Sequence, residues 1–531
     1  MKTKVILAAA LTLTAVTEAA AGGILTNTNQ SIDFLRNPAR DGAIGLDGVY
    51  SNPAGVAFLP DGLHLGLNWQ YARQTRTVTS VNPVFKYGRR NGGSDEKVFE
   101  GVADAPCIPS IQMAYNKGDW SLQFNFSVPG GGGSCEFSNG LGSFESVVGS
   151  IAQKFISIDQ FAKKLNDASS LYTMMGLAAP ADLPCYGVSG YDMDGYMQGR
   201  QYYFGFQIGG AYKASDNLSV YGGLRLLYGT ATYKAKISNI MVNTTGGLQG
   251  FESFLPKVPQ QASAVAERAK EVLTLMGRAQ QAGVQLPDAA VQQQAQIEQG
   301  LAELQTGQDE LSKLSKYTQG VNLLCNQSSV GVAPVVGIDY RVGKWNFAAK
   351  YEFRTQIRMK NESTVNEASE IAAVNRFRDG ENINEDMPAL ATVGVEFKPA
   401  DKVRLNIGYH HYFDKDASWY GNSQMKLRRN TQEVLAGVEW DVNSRLTVSI
   451  GTQLTDYGLS DEYMNDMSFV TDSYSIGFGA NYAVSSAVTL KFGYFSTTYD
   501  TYDRTTQESP RISDSFTRTN RVLGIGCDIT L

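Results

Sequence analysis

The sequence predicts an all-β transmembrane protein: a 14-stranded antiparallel outer-membrane β-barrel with helical insertions in its extracellular loops. Three observations predict it. A secretory leader opens the chain. Stretches of about ten residues alternate apolar and polar along most of the remainder. The connections between these stretches are short and long in strict turn. Composition agrees, because 54 Gly, 27 Tyr and 24 Phe among 531 residues, with only 18% charged, favour strands and turns over a helical bundle or a disordered chain.

In the leader, Lys2 and Lys4 precede an apolar run from Val5 to Val16 and then Ala19-Ala20-Ala21. That is the charged, hydrophobic, small-residue order of a signal peptide, so residues 1–21 are expected to be removed on export. The run is too short to cross a bilayer, and no later stretch reaches roughly 18 consecutive apolar residues. No Cys follows Ala21, so neither a helical nor a lipid anchor is expected.

The strands start near residue 62. Trp120, Leu122, Phe124, Phe126 and Val128 share one face, with Ser121, Gln123, Asn125 and Ser127 on the other, since side chains alternate along a strand. Leu446, Val448, Ile450 and Leu454 repeat the pattern, as do Val488, Leu490, Phe492 and Tyr494. Fourteen such stretches lie near 62–78, 108–117, 119–128, 201–213, 218–236, 330–342, 345–360, 386–398, 402–413, 431–441, 445–457, 472–484, 487–500 and 519–531. Tight turns at Lys117-Gly118-Asp119, Ala214 to Asn217, Val342-Gly343-Lys344, Pro399 to Lys402, Asp441 to Ser444 and Ser485-Ser486 alternate with long polar connections. All tight turns therefore fall at one end, as periplasmic turns do.

Aromatic residues such as Trp69, Tyr212, Trp345, Trp440, Tyr482 and Tyr499 sit at stripe ends, where the two membrane interfaces favour them. The opposite face carries Arg225, Asp339, Lys350, Glu352, Glu396, Arg404, His410, Glu439, Lys491 and Asp528, charges that suit a lumen and not lipid. A secreted sandwich would have to pack its apolar faces on each other, and strands this long are unusual there. Ser143 to Met175 and Gln260 to Gln319 break the rhythm with Ala, Gln, Glu, Lys and Leu at helical spacing, as in Val265, Ala269, Val272 and Met276. Helical loop insertions are thus expected near 135–200 and 238–329.

Other chemistries find little support. Net charge is −6, which does not attract nucleic acid. Cys107, Cys135, Cys185 and Cys325 sit in or beside segments read as loops and Cys527 in a strand; one or two loop disulfides stay open, and no metal or cofactor site is indicated. His410 and His411 point to opposite strand faces, so they cannot share a ligand. No G-x-S-x-G motif occurs, and the glycines at 130–133 lack the Lys-Ser/Thr of a phosphate loop, so no catalytic residues are assigned and an enzyme is not expected.

Between leader and first strand lies a segment without alternation that contains Ala43-Ile44, Asp47 and Ser51-Asn52-Pro53-Ala54-Gly55. These residues resemble the hatch signature of the FadL/TodX family, outer-membrane transporters of long-chain fatty acids and other hydrophobic compounds. The resemblance implies that residues 22–61 fold as a plug inside a barrel formed by 62–531, with Asn52, Pro53, Ala54 and Gly55 setting the hatch. It also implies capture of a hydrophobic ligand outside, an internal apolar pocket, and lateral release at a kinked third strand. Here that strand ends in Phe126, Val128, Pro129, Gly130 and Gly131, where proline removes a ladder donor and glycine removes side chains. The implied partners are a long-chain fatty acid or other hydrophobic ligand, outer-membrane lipids and the barrel-assembly machinery, with a monomer expected in the Gram-negative outer membrane. Two features depart from the pattern: the insertion at 238–330 is long, and the last residue is Leu531 rather than an aromatic. A general porin or adhesin-like barrel is the alternative.

Overall fold

The computed structural model describes residues 26–531 apart from 169–171, 174–175, 284–287, 315–319, 366–375 and 507–510, so the expected signal peptide at 1–21 lies outside the described residues. Fourteen strands follow one another round the sheet. They are β1 Gly62–Val81, β2 Glu96–Lys117, β3 Trp120–Phe137, β4 Gly190–Lys213, β5 Leu218–Thr244, β6 Val321–Val342 and β7 Trp345–Glu352, the last continued by Arg358–Val365. Then come β8 Leu390–Ala400, preceded by Asn382–Asn384, β9 Val403–Tyr412, β10 Gln432–Asp441, β11 Leu446–Asp456, β12 Ser473–Ala483, β13 Val488–Tyr499, continued by Tyr502–Thr505, and β14 Ser513–Thr530. Neighbours are antiparallel, and β14 pairs back onto β1 from His64 opposite Thr530 to Val81 opposite Ser513, which closes the sheet into a barrel.

Burial along the strands is inverted relative to a water-soluble sheet. On β3, Trp120 and Leu122 are 63% and 61% exposed while Ser121, Gln123 and Asn125 are buried. On β6, Val330, Val332, Val336 and Ile338 face outward and Gln327, Ser329 and Asp339 inward. A wall that is apolar outside and polar inside is stable when hydrocarbon, not water, surrounds it. At the tight-turn end Trp120 packs on Tyr212 and Trp345 stacks on Phe397, an interfacial aromatic girdle.

The strands of the first half run further than alternation alone predicts: β1 to β6 have 18 to 27 residues, against 10 to 12 in β8 to β13. Crossing the bilayer takes only about 9–11 tilted residues. Beyond the lipid no hydrocarbon selects an apolar outer face, so the alternation fades while the backbone ladder continues. Residues 135–137, 190–200, 238–244 and 321–329, expected within the helical insertions, are therefore strand. For the same reason Cys107, Cys135 and Cys325 lie in strands rather than loops, and all five cysteines are unpaired. Between β3 and β4 lies helix Gly142–Asp167; between β5 and β6 lie helices Lys257–Gln281 and Asp288–Leu314. They pack on one another through Ile151, Phe155, Ala162, Val265, Val272 and Ile297.

Candidate functional site

Residues 26–61 hold only short elements. Helix α1, Ile32–Arg36, is capped by Ser31, whose Oγ accepts from the Phe34 N–H at 3.1 Å; Asp33 in its first turn and Arg36 in its last suit the helix dipole. Single 3₁₀ turns follow at Leu46–Val49 and Gly55–Phe58. This segment bonds to inward-facing side chains all round the barrel, among them Asn116 on β2, Gln123 on β3, Asp339 on β6, Asn406 on β9, Ser449 on β11 and Lys491 on β13. Only a chain running inside the lumen reaches such a set.

The structure places Asn52, Pro53, Ala54 and Gly55 against the wall formed by β3, β5 and β6. Asn52 Nδ2 donates to Asp339 Oδ2 at 2.6 Å, and its Oδ1 accepts from the Gly55 N–H at 3.2 Å. The Pro53 carbonyl accepts from Gln123 at 2.8 Å and the Ala54 carbonyl from Ser219 at 2.5 Å. A Cβ on Gly55 would come within 2.5 Å of Asn52 Nδ2, so no larger residue fits there. Lumen side chains thus bond the buried carbonyls of both Pro53 and Ala54.

A buried ionic network holds the same segment on the opposite wall. Arg36 lies 2.7 Å from Asp33 and 2.8 Å from Glu439; Arg40 lies 2.8 Å from Asp47 and 3.0 Å from Glu439. Glu439 also meets Arg404 at 3.0 Å, and Asp33 pairs with Lys491, which pairs in turn with Asp528. His410 bridges Asp41 at 2.9 Å and Glu433 at 2.7 Å. The sequence marked the wall charges but missed their partners Asp33, Arg36, Arg40, Asp41 and Asp47. The available signal was five charges of both signs within fifteen residues of a segment that had no strand pattern.

The third strand is interrupted. β2 and β3 pair up to Ile111 opposite Phe126 and resume at Asp104 opposite Ser134, so residues 105–110 and 127–133 make no ladder with each other. Toward β4 the register slips twice, between Ser127 and Gly130 and between Gly131 and Gly133. Gly131 has φ +70, and a Cβ there would meet the Gln201 carbonyl oxygen at 2.2 Å, so only glycine is accommodated. The first slip turns Val128 into the lumen, where it is 2% exposed beside Ile32, Leu35, Ile108 and Val522. The alternation had put it on the outer face with Phe126; a one-residue shift swaps faces. Phe126 keeps the outer side, packed on Phe206 at 5.1 Å.

Residues 26–30 take up the hydrogen bonds that the ladder gives up. Asn27 N–H donates to the Pro129 carbonyl at 2.8 Å, Thr26 bridges Gly130, and Gln30 both accepts from the Val128 N–H at 2.9 Å and donates to its carbonyl at 3.0 Å. Next to this junction is a cavity of about 220 Å³ whose floor includes Ala72, Ala105, Ile108 and Val522. The arrangement offers a cavity of mixed polar and apolar lining inside the barrel, a wall without continuous strand pairing beside it, and a chain segment across the gap.

No family model matches the chain, and no curated protein matches it in sequence. Its fold does match solved structures. A Pseudomonas aeruginosa FadL homologue aligns over 96% of this chain and 99% of its own at TM-score 0.55 and 12% identity. The Pseudomonas putida toluene transporter TodX aligns over 95% and 99% at TM-score 0.50, and a TodX deltaS2S3 mutant, a monoaromatic hydrocarbon channel, over 95% and 99% at 0.52, both at 12% identity. The chain has the fold of these barrels.

Proposed function

We propose that this chain is a FadL/TodX-type transporter that carries hydrophobic small molecules, foremost long-chain fatty acids, across the Gram-negative outer membrane. The observation that carries the reading is the interruption between β2 and β3 beside an internal cavity, bridged by residues 26–30. Cargo captured at the extracellular face enters the cavity. Release follows when residues 26–30 leave Val128 to Gly130 and expose the gap to the bilayer. Each buried CH₂ is worth about 0.8 kcal/mol, so a lateral path spares an acyl chain from re-entering water. Residues 26–61 act meanwhile as a plug, which Asn52 to Gly55 fix on one wall and Glu439 on the other.

The test replaces Gly130 to Gly133 with Val and Thr and compares uptake of labelled oleate and toluene at equal surface expression. Lost uptake with an intact, heat-modifiable barrel is expected; full uptake through a continuously paired strand would rule out lateral release. Deleting residues 22–55 should raise single-channel conductance from near zero. A large steady conductance of the intact protein would instead make it a porin.

A further inference from the structure

Two arginines line the cavity with no acidic partner among the described residues. Arg76 on β1 and Arg518 on β14 stand directly opposite each other in the ladder that closes the barrel. Like charges in cross-strand register repel. Elsewhere in the lumen guanidinium groups are answered by acids: Arg36 and Arg40 share Glu439, Arg225 meets Glu352, and Arg404 meets Asp441. The groups facing Arg76 are Arg518, Cys135 and Tyr499, none of them a carboxylate. Arg518 donates to the neutral Gln74 at 2.6 Å and lies 5.0 Å over the Tyr499 ring. The Nε atoms of both arginines and Oδ1 of Asn520 are buried, and among the described residues they have no hydrogen-bond partner. Two adjacent half-buried cations with no acid beside them favour an anion between them.

We infer that Arg76 and Arg518 form a carboxylate subsite, so that the cavity takes an amphipathic organic monoacid rather than a neutral hydrocarbon. This rests on the transporter reading and specifies its cargo. The inward positions of β1 descend from Arg76 through Gln74 to Ala72, and those of β14 from Arg518 through Asn520 to Val522. Four residues of strand cover about 13 Å. The carboxylate therefore sits toward the extracellular end on the two guanidiniums, and the apolar part points down to Ala105, Ile108 and the gap in β3. A dry cavity of about 150 Å³ holds benzene, so about 220 Å³ accepts either an aromatic acid or the carboxyl end of an acyl chain. Both sources present the same group to the arginines.

The full-length protein in maltoside detergent is titrated calorimetrically with octanoate against octan-1-ol and with benzoate against benzyl alcohol. At least one acid is expected to bind tenfold or more tightly than its alcohol; which pair shows the preference separates acyl from aromatic cargo. Arg76→Gln with Arg518→Gln should abolish the preference and leave alcohol binding unchanged. Equal binding of acid and alcohol, or an acid affinity untouched by the double substitution, overturns the subsite. A second measurement keeps the arginines. In a Cys107→Ser, Cys185→Ser background, Cys135 should react at least tenfold faster with an anionic than with a cationic methanethiosulfonate of similar size, and octanoate or benzoate should slow it; a faster cationic reagent overturns the subsite. Uptake of the alcohols without any acid preference refutes the subsite alone, whereas acid-selective binding without cellular uptake of acid or alcohol refutes the transporter reading alone.

Discussion

Replacing Glu439 by Gln should undock the N-terminal segment measurably while leaving the barrel closed. Glu439 is where β10 holds the segment: it meets Arg36 at 2.8 Å and Arg40 at 3.0 Å, and it shares Arg404 with Asp441. The connected network sets five carboxylates, Asp33, Asp47, Glu439, Asp441 and Asp528, against four cations, Arg36, Arg40, Arg404 and Lys491. The substitution removes one negative charge and leaves four against four. Arg36 keeps Asp33 at 2.7 Å and Arg40 keeps Asp47 at 2.8 Å, so no cation is stranded. Breaking a buried pair costs about 3–5 kcal/mol, and this residual pairing puts the loss near 3 kcal/mol. At 1.4 kcal/mol per factor of ten, the undocked population rises on the order of a hundredfold. Trypsin cleavage after Arg36 and Arg40 reads that population when reclosing outpaces cleavage, and planar-bilayer recordings read it as more frequent conducting events. Arg404→Gln is the control, because among the described residues Arg404 pairs with Glu439 and Asp441 and with no acid of the segment. Cleavage and conductance of Glu439→Gln equal to wild type would refute the reasoning.

Three further outcomes are expected. Asn52→Ala removes a donor from buried Asp339, which keeps only Asn346 at 2.8 Å, and should cost about 1–3 kcal/mol, seen as faster trypsin release of the segment; unchanged release would count against a hatch fixed there. Gly437→Val places a Cβ where Asn37 Oδ1 lies 1.9 Å away, so conductance should rise while gel heat-modifiability stays normal; a silent substitution would show that the segment does not lie against β10. In the extracellular mouth, burial pushes Glu385 up to about 7 despite the Arg376 guanidinium 2.6 Å away. Its folded-state value is raised, so the stability it contributes is complete below the ordinary carboxylate range near 4.5 and is lost as pH rises through about 7. The melting temperature should fall across that window, and Glu385→Gln should flatten the fall; an identical slope in both proteins would refute it.

The barrel was legible in the sequence because the property that makes it is local. Each spanning strand meets lipid on one face and the lumen on the other, so Ser121, Gln123 and Asn125 against Trp120 and Leu122 record the orientation residue by residue. Turn lengths record which end is which, and Pro129 with the glycines after it marks where pairing stops. Past the lipid that record ends, which is why the first six strands run beyond their predicted limits at the end away from the tight turns.

Residues 26–61 carry no period at all, and what holds them was decided only by the closed barrel. Asp33 finds Lys491 458 positions away, Arg36 finds Ser449 413 positions away, and Asn52 finds Asp339 287 positions away. Their approach depends on wall glycines such as Gly437, where the absence of a side chain admits Asn37. Arg76 and Arg518 likewise become neighbours only when β14 closes onto β1. Alternation states which face a side chain takes; which charges meet across the lumen follows from barrel closure and register, which join residues hundreds of positions apart and leave no local pattern.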